Sequence, residues 1–372
     1  MNEHINPRRR FLSSLRNAAL ISLAPFPRNP ESLTGIWDHG DPTDCDFAPP
    51  GEYIKDHTFV YTDGWWHLFS ISGTRGYYHG YNGNEETFSW SISKNLVDWE
   101  FRGHVIHPSL RANTFDQHEV WAPFCIKSGS NFFMFYTGVV HPHRPMEYRR
   151  LGSKSEWIGE GHKETQGLAI STDLTDWLKT DDPEKGLGIP GRDSCVVRDE
   201  KNNRWLLYST GGSREKNGIR MHEVFISQSA DLFNWKFTGT CALIPRLDVK
   251  RNYGPTVDNW EGFRQSAGTT ESMVVMKHPV SDQWLLMGNW QYALSDDPLN
   301  FMNSEINYYD NRYNGSRVDL GFACEIIRYQ EKWYRSAVIG DTDQWRLAIT
   351  EIEWVKEGAF RIVRPGKINT LF

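Results

Sequence analysis

Three carboxylates stand at or just before short β-like runs that are far apart in the chain: Asp56, Asp193 and Glu271. Two carboxyl groups flanking a glycosidic bond are the least machinery that hydrolyses it, one as acid and the other as base or nucleophile. A third ionised carboxylate nearby would raise the acid's pKa by like-charge repulsion and stabilise oxocarbenium-like charge. Several neighbours could hold a sugar: His57 directly after Asp56, His118, Glu119 and Trp121 at another run, Arg192 beside Asp193, and Trp260 ahead of Glu271. The two Trp are candidates for stacking on a sugar face, the polar side chains for bonding hydroxyls. Arg144, Arg149 and Arg150 could meet an anionic group but read more simply as a solvated basic loop. Asp63, Asp98, Asp173, Asp176 and Asp231 read as turn or repeat residues.

The elements that must bring the three acids together are visible as a repeat. Its first copy runs Asp56–Tyr61, an Asp63-Gly64 turn, Trp65–Ser72, Phe88–Ser93 and Trp99–Arg102. Four further copies open at Val120, Ser194, Glu271 and Ala323. The later runs carry a recurring phrase: SISKNLVDW at Ser91–Trp99, AISTDLTDW at Ala169–Trp177 and ISQSADLFNW at Ile226–Trp235. Four short β-runs per repeat, with turn residues between the first and second, are the signature of a propeller blade. The sequence therefore predicts an all-β, five-bladed β-propeller with four-stranded antiparallel blades in a single domain, residues 29–372. The long segments join second to third runs, or one unit to the next. In an up-and-down blade those connections share a face with the starts of the first runs, so loops and acids should meet at one mouth. In the fourth unit, Phe301 is the expected last run.

Composition agrees. Aromatics make up 14% of the chain, with 16 Trp and 31 Gly, which favours strands and turns over helices. The formal charge is −6, and the five Arg and one Glu of residues 1–28 leave −10 for the remainder. An acidic body without a basic stripe excludes nucleic acid as a partner, and no run of 18 apolar residues offers a membrane span. The five Cys are odd in number and scattered, so they read as buried free thiols. No His or Cys cluster has zinc spacing and no Ca²⁺ loop is present, so neither metal nor cofactor is implied. At the N-terminus, Pro7–Ser13 reads PRRRFLS, with Arg8, Arg9, Phe11 and Leu12 in the order of a twin-arginine export signal. Residues 1–28 are expected to be such a signal or a disordered tail, which places the body in the periplasm or outside the cell.

Asp56 with VYTDGWWHLF at Val60–Phe69, the Trp121-Ala122-Pro123 triplet, Arg192-Asp193 and Glu271 resemble the five-bladed propeller hydrolases of glycoside hydrolase families 32 and 43. The resemblance covers most of residues 50–365. It implies that Asp56 is the nucleophile, as in family 32, or the general base, as in family 43. Asp193 would stabilise the transition state or tune the acid, and Glu271 would be the general acid. The chain departs from the family 32 pattern after each acid, with His57, Ser194 and Ser272 where Pro, Pro and Cys would follow. The resemblance implies a monomeric glycosidase acting on an oligosaccharide or polysaccharide, a furanoside or pentoside such as arabinofuranose, xylose or fructofuranose. A propeller phosphorylase and a carbohydrate-binding pseudoenzyme are the rival readings.

Overall fold

A computed structural model describes residues 40–77, 84–109, 111–141, 162–180, 182–216, 219–245, 271–340 and 343–369. All fall within one unit, His39–Phe372. The N-terminal signal reading, Trp260 and the Arg144–Arg150 loop lie outside the described residues.

Five four-stranded antiparallel sheets follow one another, each with its strands in sequence order. The first holds β1 (Glu52–Thr62), β2 (Trp65–Thr74), β3 (Thr87–Ser93) and β4 (Glu100–Val105). The second holds β5 (Glu119–Ser128), β6 (Asn131–Val140), β7 (Lys163–Ser171) and β8 (Leu178–Lys179). The third holds β9 (Arg192–Asp199), β10 (Arg204–Lys216), β11 (Ile219–Ser229) and β12 (Lys236–Pro245). The fourth holds β13 (Val274–Lys277), β14 (Trp284–Met287), β15 (Gln291–Ser295) and β16 (Asn307–Tyr308). A short hairpin of β17 (Arg312–Tyr313) and β18 (Ser316–Arg317) comes next, then β19 (Phe322–Tyr329), β20 (Lys332–Ile339), β21 (Arg346–Trp354) and β22 (Phe360–Arg364). The first strands touch in a closed cycle, β1 to β5 to β9 to β13 to β19 and back to β1. The molecule is the five-bladed propeller that the repeat predicts, with those strands innermost. One expectation is corrected. The outer strand of blade four is Asn307–Tyr308, and Phe301 is instead a buried core residue whose N–H bonds the Cys241 carbonyl of blade three at 2.7 Å.

The blades are glued by the recurring phrase. Ser93, Ser171 and Ser229 accept through Oγ from the N–H of Leu96, Leu174 and Leu232 at 2.8–3.0 Å. The three Leu have φ of 66–67° and are buried. The following Trp99, Trp177 and Trp235 donate Nε1–H to the same Leu carbonyls at 2.9–3.1 Å. Trp177 then packs edge-on against Phe69 of blade one, and Trp235 against Phe135 of blade two, each with ring centroids 5.7 Å apart. Asp173 and Asp231 cap the turns by accepting backbone N–H bonds, so the structural reading of those two acids stands. The five Cys are free and buried, also as expected.

The ring is closed by the lead-in to β1. Phe47 forms a two-way backbone bridge with Leu347 on β21, and Ile54 donates its N–H to the Trp345 carbonyl at 3.2 Å. The side chain of Arg346 reaches back to Asp46.

Candidate active site

The innermost strands share an irregularity that decides where side chains point. In β1 the register shifts between Ile54 and His57, in β5 between Trp121 and Phe124, in β9 between Arg192 and Cys195, and in β19 between Phe322 and Glu325. Each is a bulge in which two residues face one on the neighbouring strand, and such bulges re-aim side chains at a rim. The first bulged residue has positive φ in three cases: Ala122 (49°), Asp193 (54°) and Ala323 (52°); Ser272, just ahead of β13, has 50°. A non-glycine residue there costs on the order of 1–3 kcal/mol, a strain that concentrates at functional sites.

The three acids do not occupy one equivalent step, as the repeat suggests. Asp56 is the second residue of its bulge, Asp193 the first, and Glu271 the residue before the positive-φ Ser272. The stagger still brings them to one place. Asp56 and Asp193 line an axial funnel with His57, Pro123, Ser194, Ser272, Cys324 and Glu325, and Glu271 stands at its rim with 40% of its side chain exposed.

Asp193 is buried. Its N–H donates to Thr137 Oγ1 at 3.1 Å, and its Oδ2 accepts from Arg192 Nη1 at 3.1 Å and from Thr210 Oγ1 at 3.4 Å. Burial pushes its pKa up to about 7; Arg192 opposes that rise, and the charges of Asp56, Glu271 and Glu164 add to it. Arg192 is the hub of the rim. Its Nη2 bonds Glu271 Oε1, and its Nε lies 3.3 Å from Glu164 Oε2. Asp56 accepts a hydrogen bond from Ser272 Oγ, which fixes one carboxylate oxygen. Beside it, Lys55 Nζ is 3.1 Å from Glu85 Oε2. Burial alone would depress the Lys55 pKa, but Glu85, Asp56 and Glu271 outweigh it and hold the ammonium above its ordinary range. Glu325 adds a fourth carboxyl to the funnel, and burial raises its pKa to about 8.

The proposed sugar-binding side chains fare unevenly. His57 is 3% exposed; its Nδ1 lies 3.3 Å from the Lys55 carbonyl, which only an N–H satisfies, so Nε2 accepts from Ser336 Oγ at 2.8 Å. Burial lowers its pKa to about 4, so it is a neutral tie between blades one and five, not a free hydroxyl binder. His118 and Glu119 are buried around His141: His118 Nδ1 accepts the His141 N–H at 2.9 Å, and Glu119 Oε2 pairs with His141 Nε2 at 3.1 Å. Trp121 is half-buried, donates Nε1–H to the Glu85 carbonyl at 3.1 Å, and meets the His162 ring edge-on at 5.4 Å. Arg192 is partly open and stands among the acids. Sequence reasoning missed Lys55, Glu85, Glu164 and Ser272. Ser272 was signalled only by its place after Glu271. Among the described residues no group of three or more His, Cys, Asp or Glu side chains is arranged for a metal ion.

Residues 46–246 match the model of the glycosyl hydrolases family 32 N-terminal domain. The chain is 25% identical over 202 residues to an insoluble β-fructofuranosidase isoenzyme of Arabidopsis thaliana, covering 51% of this chain and 29% of that protein. It is 26% identical over 200 residues to a levanase of a Bacillus species (strain L7), covering 50% of this chain and 18% of that protein. It thus spans less than a third of the length of the curated relatives it matches. The GH32 β-fructofuranosidase of Bombyx mori superposes with a TM-score of 0.57 at 15% identity, over 88% of this chain and 66% of that one. A thermostable family-43 glycoside hydrolase gives 0.56 at 17% identity, over 85% and 94%. These structural likenesses show the fold.

Proposed function

The chain belongs to glycosyl hydrolase family 32, and on that premise we propose that it hydrolyses the glycosidic bond of a non-reducing-end furanoside or pentoside, with a β-fructofuranoside first among the candidates. The observation that carries the reading is that Asp56 and Asp193, from two separate blades, line one funnel, and that Arg192 ties Asp193 to Glu271 of a third.

In this reading Asp56 is the nucleophile. The Ser272 hydroxyl orients it by bonding one carboxylate oxygen. Glu271, at the open rim, protonates the leaving oxygen as that bond breaks, then takes a proton from the water that releases the sugar. Asp193, held from below by Thr137 and Thr210, faces the positive charge that develops on the sugar ring. Two displacements retain the anomeric configuration. Proton NMR of the first product should therefore show the substrate's own anomer, and the opposite anomer would make Asp56 a general base.

The deciding experiment is a glycan panel scored for released monosaccharide, with and without added phosphate. It should include sucrose, levan and inulin beside aryl arabinofuranosides and xylosides. Release of a single monosaccharide, independent of phosphate, is expected. Binding without release from any member would sink the hydrolase reading in favour of a sugar-binding propeller, and release only with phosphate would make it a phosphorylase. We also propose that the body is exported by the twin-arginine signal. Arg8→Lys with Arg9→Lys should leave it in the cytoplasmic fraction, and unchanged fractionation would remove that proposal.

A further inference from the structure

Asp56, Asp193 and Glu325 are the acids that line the axial funnel, and the protein holds the first two. Asp56 is bonded by Ser272, and Asp193 is tied to Thr137, Arg192 and Thr210. Among the described residues no group donates to the Glu325 carboxyl and no cation stands within ion-pair distance of it. Arg335, the buried cation of the same blade, gives Nη1 and Nη2 to the carbonyls of Leu320 and Asn289 instead.

The backbone brings this side chain to the cavity. Ala323 and Cys324 form the bulge of β19, and Glu325 is the first residue after it, paired with Ser336 of β20. In blades one to three the same step carries His57, Phe124 and Cys195. Each of those is committed to protein: His57 to Ser336, Phe124 to the core of blades three and four, and Cys195 to the Val275 carbonyl at 3.8 Å. Blade five puts a carboxyl at that step and leaves it facing the funnel. The space there is about 280 Å³, small for a ligand site, so a ring seated against Asp56 and Asp193 has Glu325 as another wall. A polar group left unbonded in such a place is destabilising, and a ligand that completes its bonding accounts for its retention. We propose that Glu325 is a substrate-contacting residue, whose carboxyl bonds a hydroxyl of the sugar ring seated beside Asp56 and Asp193 and so selects rings that carry a hydroxyl at that wall. The inference rests on the reading of the funnel as a glycoside site. Burial raises the pKa of Glu325 to about 8, so near neutral pH the group is protonated and donates to the hydroxyl oxygen without placing a further negative charge beside Asp56.

The test is binding, which needs no turnover. Isothermal titration of the full chain with D-fructose, L-arabinose and D-xylose should find a sugar that Glu325→Leu binds about 10-fold more weakly than wild type, or worse. Glu325→Gln, which keeps a donor in a similar shape, should recover most of that loss. Thermal unfolding separates a contact from a support. Leu removes both an unbonded polar group and the cost of keeping it protonated, so the Tm of Glu325→Leu at pH 7 should equal or exceed that of wild type. A lowered Tm, or equal affinity in wild type and Glu325→Leu for a sugar that binds, would overturn the inference while leaving the hydrolase reading intact. Binding of none of the three sugars by wild type would leave Glu325 no ring to contact and overturn it too; the glycan panel then decides separately whether the hydrolase reading has fallen with it.

Discussion

At the scale of single residues, the proposed mechanism has Asp56, Asp193 and Glu271 meet substrate while their neighbours fix them. Asp56→Asn, Asp193→Asn and Glu271→Gln should each cut turnover by about 10³-fold or more while leaving the far-ultraviolet circular dichroism unchanged. Full activity in any one removes that residue from the mechanism. Asn also tolerates the positive φ that Asp193 adopts, so its loss of rate would not be a loss of fold. Ser272→Ala removes one hydrogen bond to a charged group, worth about 1.5–3 kcal/mol, or roughly 10- to 100-fold in kcat/KM. Glu325 gives a test that needs no substrate. Its folded pKa of about 8 lies above that of an unfolded carboxyl, so the folded state binds the extra proton between the two values. Stability therefore falls as pH rises through that window and levels off above about 8. Glu325→Gln should flatten the fall in Tm from pH 5 to pH 8, and an unaltered slope would mean that the carboxyl is not held neutral.

At the scale of elements, the blade phrase was the most legible part of the chain. Its Ser, Leu and Trp recur at fixed spacing because each performs the same local task, a turn that presents an indole to the preceding blade. Trp235→Phe should lose about 1 kcal/mol with the Nε1–H bond, and Trp235→Ala about 2 kcal/mol or more with the packing against Phe135, both measurable by urea denaturation. The bulges were not legible. Nothing in the run from Tyr53 to Thr58 signals that Lys55 and Asp56 together face only Ile71, because a bulge is set by the partner strand and not by local composition. Hence the acids could be located along the chain, but their one-step stagger could not. The same holds for His57. Its position beside Asp56 suggests a ligand, whereas its burial against Ser336, 279 residues away, makes it a strut. Glu164 escaped notice for the converse reason, since a lone Glu in a strand has no pattern until Arg192 is folded against it.

At the scale of the whole molecule, five sheets in sequence order meet around one axis, and the pair that completes the circle is joined by the segment ahead of β1. Asp46 and Phe47 find Arg346 and Leu347 about 300 residues later in the chain. That distance gives the molecule a direction in time. A chain growing from its N-terminus holds all three acids once Glu271 has been made, yet Leu347 does not exist, nor do Cys324 and Glu325, which line the funnel from blade five. Closing so long a loop is also a late entropic step. Chains cut after blade four should accordingly carry Asp56, Asp193, Glu271 and Arg192 and still release no sugar. In the intact protein, amides at Phe47 and Leu347 should exchange with solvent together, as one latch. Hydrolysis would then begin only when the last blade is synthesised and pinned to the first, so that an unfinished chain is chemically silent.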